Sequence, residues 1–307
     1  MSTLLLIDGN NLFHRAYHAL PSLTDSSGEN ANAVFGFSNM ILKAVGEVKP
    51  DYIACAFDTK APTFRHVEFE AYKAQRVAPP PDLYPQLPKV KSVLEAFGIP
   101  YFEKAGYEAD DLLATLAMGL LSKVSKVTIL SGDRDLLQLV DGVIKVQAPG
   151  WNLSSTTLYG AKEVSEKFGI TPDQMVDYKS MTGDPSDNVP GIAGIGPKTA
   201  SALLQKYKTL ERIYSHIGEI GETTRLKLEK DRDVALAAKK LVKLDTDVDI
   251  KFKIDDLKFG PDWDRVRAVF EELGFKSIVN KLPVTSSQRP ESGSKSDKKN
   301  NDQLELI

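Results

Sequence analysis

Three aspartates in this sequence stand where a short apolar run gives out. Asp8 closes the run over residues 3–7, Asp58 the run over 51–57, and Asp133 follows the run over 127–131. One acid at a strand end is commonplace as a cap or turn residue; three suggest a common site. More acids accompany them. Glu108, Asp110 and Asp111 open an apolar helical stretch, with Glu108 and Asp111 three apart on one face. Asp135 follows Asp133, and Asp184 and Asp187 make a second pair three apart. Nine converging carboxylates would repel one another, and burying them uncompensated would raise their pKa values. Hard divalent cations resolve that conflict, and Mg²⁺ or Mn²⁺ suits an all-carboxylate set. Zinc does not, because there is one cysteine and the four histidines have no ligand spacing. Two hard ions about 3.5–4 Å apart suit in-line attack on a phosphodiester. A phosphatase that forms an aspartyl intermediate would need a second aspartate two residues after Asp8, where this chain has Asn10.

A second signal lies at residues 187–200, DNVPGIAGIGPKTA. Gly194 and Gly196 permit a tight turn with close backbone approach. Pro197 sits where a helix would begin, a position its fixed φ suits. The free amides of that helix start, with Lys198 and Thr199, face an anion. Such a hairpin between helices grips a nucleic-acid backbone without reading sequence. A dinucleotide site is disfavoured, because the glycines follow a helix and lack the GxGxxG spacing.

The elements that position these residues follow from hydrophobic patterning. Apolar runs at 3–8, 51–58, 127–131 and 143–147 alternate with helical patterns at 34–48, 84–97 and 109–124. That alternation predicts a parallel sheet with helices on both faces, an α/β fold. Residues 60–81 interrupt it with Arg, Lys, His and aromatics and end in three prolines. They are read as an excursion above the sheet, helical over 67–76. Helices are expected at 160–168, 172–182, 197–207, 223–244 and 262–273. The expected organisation is a core over 1–159 with an arch at 60–83, a helical subdomain over 160–285, and a disordered polar tail over 286–307.

The chain has 307 residues, a net charge of −3 and 26% charged residues, so bulk attraction to nucleic acid is absent and local patches or ions must supply it. No apolar run is long enough to span a bilayer. The single Cys55 cannot make an internal disulfide, which suits a cytoplasmic, nucleoid-associated setting.

Taken in order, IDGNN at 7–11, FD at 57–58, EADD at 108–111, GDRD at 132–135, GDPSDNVPG at 183–191 and the hairpin closely resemble the 5′-nuclease domain of bacterial DNA polymerase I, within the flap endonuclease superfamily. The resemblance runs over about residues 3–282. It implies a PIN/flap-endonuclease-like core with a helical arch and a helix-hairpin-helix motif. It implies a Mg²⁺-dependent 5′→3′ exonuclease and flap endonuclease acting on branched, flapped or RNA-primed DNA. It implies one metal group of Asp8, Asp58, Glu108, Asp110 and Asp111, a second of Asp133, Asp135, Asp184 and Asp187, and a K⁺ ion on the hairpin carbonyls. The YKAQR motif at 72–76 places Tyr72 to stack on an unpaired base, and Lys73 and Arg76, on one helical face, to neutralise the scissile phosphate. Packing inside the arch is the alternative for Tyr72. Arg15 and Arg65 become phosphate contacts.

The chain departs from that pattern after residue 282. Gln303, Leu304, Leu306 and Ile307 resemble a sliding-clamp-binding peptide, with Ile307 in place of Phe. The expectation is a stand-alone monomeric nuclease that docks on a β clamp; deleting 303–307 should abolish clamp binding and spare cleavage. Two rivals remain: a PIN-like ribonuclease, disfavoured by the arch and hairpin, and a non-catalytic flap-DNA-binding or clamp adaptor, disfavoured by the full acid set.

Overall fold

The computed structural model describes residues 2–150 and 155–284. The whole tail over 286–307, with the clamp-peptide residues 303–307, lies outside them. Six strands form one sheet in the order β3-β2-β1-β4-β5-β6. They are β1 (Thr3–Asp8), β2 (Tyr52–Phe57), β3 (Tyr101–Glu103), β4 (Lys126–Leu130), β5 (Ile144–Pro149) and β6 (Thr156–Tyr159). The first five run parallel, and β6 pairs antiparallel with β5 at one edge.

The four expected strands are present. β3 and β6 were not expected: β3 is three residues long, and β6 carries no buried run. Alternate residues of β1 serve opposite faces. Leu4 and Leu6 pack against α5 (Ala109–Leu120), and Leu5 and Ile7 pack with buried residues of α1 (Gly9–Ala19), α2 (Asn32–Val48) and α4 (Leu87–Ala96). That two-sided burial is why β1 and β2 read as continuous apolar runs.

Helix α1 is absent from the expected elements, since Gly-Asn-Asn is poor helix-forming sequence. It forms because Asp8 caps it, accepting from the Asn11 amide at 3.0 Å. Gly9 is required there: a Cβ would stand 2.4 Å from the Phe57 ring.

The helical half contains α6 (Ala161–Phe168), α7 (Met175–Thr182), α8 (Pro197–Tyr207), α9 (Leu210–Ser215), α10 (Glu222–Lys230) and α11 (Arg232–Val242). The helix expected over 223–244 is two helices. They break at Asp231, whose carboxylate turns away to accept the Ala193 amide at 2.8 Å. Helices α12 (Trp263–Glu272) and α13 (Lys276–Val279) return to the core, where Val266, Phe270, Phe275 and Ile278 pack with Phe97 and Val93. The subdomain expected over 160–285 therefore gives its last two helices back to the sheet layer.

The excursion also differs. Its only helix is α3 (Phe64–Glu68), and residues 70–75 are turns, not the helix expected over 67–76. Lys73 has a left-handed φ of 55°, which a helical face does not allow. The segment is held down on the loop after α7. The Lys73 amide donates to the Asp187 carbonyl at 2.9 Å, the Asn188 side chain to the Ala71 carbonyl at 2.7 Å, and Gln75 to the Pro185 carbonyl at 2.9 Å.

Candidate metal centre

The acids meet beyond the carboxyl ends of β1, β2 and β4, where open parallel sheets place their ligands. Asp8 ends β1, Asp58 follows β2, and Asp133 and Asp135 follow β4. Glu108 precedes α5, and Asp110 and Asp111 lie in its first turn. Asp184 and Asp187 come across from the helical half, on the loop between α7 and α8. Side-chain amides fix the strand ends. Asn10 Oδ1 accepts the Asp58 amide at 2.9 Å, and Asn11 Oδ1 accepts the Gly132 amide at 2.8 Å. Both asparagines, and Ser131, were missed as site residues; their signal was the polar pair inside an otherwise apolar β-to-α junction.

Four acids carry no ion pair among the described residues. Burial pushes the Asp8 carboxyl up to about 7, with Asp58 and Asp133 adding repulsion and the Ser131 hydroxyl and Asn11 amide pulling back. The Ser131 Oγ donates to Asp8 at 2.5 Å. Asp110 is pushed well up by burial and then by Asp133, Asp8, Asp58 and Glu108. Asp58 and Asp133 are raised, chiefly by loss of water around them. Asp58 nevertheless keeps an open side to solvent and accepts the Ala109 amide at 2.7 Å.

The other five acids have cationic partners. Arg65 forks onto Asp111 at 2.7 and 2.8 Å. Lys73 reaches Glu108 at 2.6 Å, and Arg76 reaches Asp187 at 2.6 Å. Lys179 contacts both Asp135 and Asp184, the latter at 2.7 Å. Burial would raise Asp184, but the Lys179 charge and donors from Lys179 and Ser186 hold it below the ordinary carboxylate range. Carboxylate oxygens of Asp135, Asp184 and Asp187 lie within 4.8 Å of one another, a spacing that one cation can bridge.

These contacts correct three expectations. Arg65 is not a phosphate contact: it is 1% exposed, and its remaining donors bind the Leu241 and Lys243 carbonyls. Asp111 is fully buried, and both its oxygens are taken by Arg65 and the Asp245 and Glu108 amides, so it is a structural anchor and not a ligand. Tyr72 is 3% exposed among Val189, Leu241 and Val242 and donates towards Glu108 and Asp187, so it cannot stack on a base in this state. Its packing inside the arch is the reading that holds. Arg15 is half-buried at the cleft edge and donates to the Gly150 carbonyl.

The hairpin stands as expected between α7 and α8. Ile192 and Ile195 are buried, whereas Gly194, Gly196 and Lys198 are exposed and Thr199 is half-buried. Gly194 has φ 77°, and Gly196 precedes the first residue of α8. Behind it, Gly191 and Gly183 touch backbone to backbone; a Cβ on Gly191 would meet the Gly183 nitrogen at 2.3 Å. Lys227 Nζ donates to the Gly194 carbonyl at 3.1 Å.

Comparison with known proteins accords with this geometry. The profile for the 5′-3′ exonuclease N-terminal resolvase-like domain matches residues 3–169, and that for its C-terminal SAM fold matches residues 170–265. A 5′-3′ exonuclease of Aquifex aeolicus is 40% identical over 94% of this chain and 99% of its own length. DNA polymerase I of Caldicellulosiruptor bescii is 40% identical over 92% of this chain, which spans about a third (34%) of that protein. The T5 D15 protein co-crystallised with metal ions shares the fold at a TM-score of 0.68 and 18% identity, over 89% of this chain and 98% of its own. The catalytic core of Rad2 in complex with DNA substrate does so at 0.56 and 18%, over 89% and 88%. With both profiles matched in order across the sheet and the helical half, the chain belongs to the 5′-3′ exonuclease family.

Proposed function

We propose that this chain is a metal-dependent 5′ nuclease that hydrolyses phosphodiester bonds at 5′ ends and 5′-flap junctions of DNA. The convergence of acids from both halves of the chain, beside a backbone-gripping hairpin, carries that reading. The residues fit two hard divalent ions. Asp8, Asp58, Asp110 and Asp133, which make no ion pair among the described residues, would hold one, joined by Glu108 once Lys73 turns away from it. Asp135, Asp184 and Asp187 would hold the other, at the spacing they already have. Such ions supply water activation and stabilisation of the leaving oxygen.

The chain's own groups do the rest. The hairpin amides, Lys198 and Thr199 hold duplex backbone, and Arg15 contacts phosphate at the cleft edge. Lys73 and Arg76 stand over the acids and would turn from Glu108 and Asp187 to the scissile phosphate, balancing charge that grows in the transition state. A K⁺ ion on the hairpin carbonyls, as the resemblance implies, would share the Gly194 carbonyl with Lys227, whose Nζ donates to it. Flapped and RNA-primed DNA are the proposed substrates, in keeping with a Rad2 core solved with DNA. Docking of residues 303–307 on a sliding clamp is a further proposal, tested by deleting them.

The reading is tested by comparing a 5′-flap duplex with the same sequence as single-stranded RNA and DNA, over a Mg²⁺ titration. Cleavage near the flap junction that requires Mg²⁺ supports it. Cutting of the single-stranded RNA alone would favour the PIN-like rival, and binding without cutting the adaptor.

A further inference from the structure

The nine carboxylates divide by the company they keep. Asp8, Asp58, Asp110 and Asp133 make no ion pair among the described residues, although Lys179 and Lys73 act on Asp133, and Lys73 and Arg76 on Asp58, from farther off. The compact triad Asp135, Asp184 and Asp187 is already neutralised from within. Lys179, in the last turn of α7 with its side chain only 12% exposed, contacts Asp135 and Asp184. Arg76 and, at 3.7 Å, Lys73 attend to Asp187. A tethered ammonium at this spacing does electrostatically what a bound cation would do.

We propose that Lys179 is the resident counter-ion of this triad, and that a divalent ion enters the triad only by displacing it. This rests on the metal-dependent nuclease reading. The two halves of the acidic cluster are then unequal in the free protein. The four unpaired acids take a divalent ion readily. The triad takes one against competition from a lysine that is always present at high local concentration. A bound phosphodiester offers the displaced ammonium another anion, so Lys179 is a positioning residue for the second ion.

The test is a Mn²⁺ titration of the full chain without DNA, with free Mn²⁺ followed by electron paramagnetic resonance. Wild type should bind one ion tightly and a second at least about tenfold more weakly, and Lys179→Met should tighten the second about tenfold and shift the first far less, through Asp133 alone. Lys179→Gln serves as the second variant should the methionine disturb folding, as judged by circular dichroism. Two equally tight ions in wild type, or a second ion unaffected by both substitutions, would overturn the proposal. If wild type still cleaves flaps with Mg²⁺, that failure leaves the nuclease reading standing. A wild type that takes up no Mn²⁺ overturns both.

Discussion

Arg65 and Asp111 form a two-pronged ion pair sealed inside the protein, with the guanidinium also tied to the Leu241 and Lys243 carbonyls at the end of α11. The pair locks the base of the excursion to the first turn of α5 and to the helical half. Removing one partner strands the other's charge, which costs about 3–5 kcal/mol in buried pairs. Arg65→Ala should lose stability on that scale in urea unfolding. Full stability with weakened DNA binding would instead make Arg65 a phosphate contact.

Asp8 illustrates the pH behaviour. Its carboxyl is held up at about 7 mainly by burial, and Asp58, Asp110 and Asp133 are raised for the same first reason. Between about pH 4, where an unfolded aspartate titrates, and about 7, the folded chain keeps protons that the unfolded chain has released. Their contribution to stability is complete below the unfolded pKa and is lost as pH rises through the folded one. The metal-free protein should therefore lose Tm over that window, and Asp8→Asn should flatten the loss. Divalent ions replace the lost protons, so saturating Mg²⁺ should raise Tm more at about pH 8 than at about pH 5.5. Equal increments at both pH values would contradict this.

Lys73 and Arg76 should matter more to rate than to affinity. Each stands beside the acids, paired with Glu108 or Asp187, and away from the exposed hairpin proposed to hold duplex. Lys73→Ala should cut single-turnover cleavage by about 10²-fold, the scale of losing one transition-state donor, with flap Kd changed far less. A large loss of affinity at unchanged rate would place Lys73 in substrate binding instead.

The hairpin separates grip from architecture. Lys198 is exposed at the start of α8, so Lys198→Ala should weaken duplex binding, lower the salt slope by about one and leave Tm alone. Gly191→Ala should do the reverse first, destabilising the fold by forcing its backbone away from Gly183. Binding and melting curves of the two variants check this.

The strands and the acids at their ends were legible because a strand buried on both faces writes a continuous apolar run, and the acid that stops it stands out. The hairpin was legible because glycine and proline mark backbone geometry directly. What stayed hidden depended on long-range pairing. Arg65 reads like any other basic residue of the excursion until its partner, 46 residues on, is known. Asp111 looks like one more ligand until its oxygens are counted. Lys179 is one lysine in the last turn of α7, and only the fold brings it to Asp135 and Asp184. The helix expected over 67–76 failed because hydrogen bonds to the Asp184–Asn188 loop, invisible to local periodicity, outweigh local propensity.

Asp110 lies in the first turn of α5, has no ion pair among the described residues, and is crowded by Asp8, Asp58 and Asp133. Cleavage of a 5′-labelled double-flap DNA by wild type and Asp110→Asn, with Mg²⁺ and with chelator, is the most direct measurement. Affinity for the same DNA is measured in parallel in Ca²⁺. The expected result is Mg²⁺-dependent cutting near the junction by wild type, with the variant still binding but slower by at least about 10²-fold. Cutting that persists in chelator, or that Asp110→Asn leaves intact, would contradict a metal-dependent nuclease built on these carboxylates.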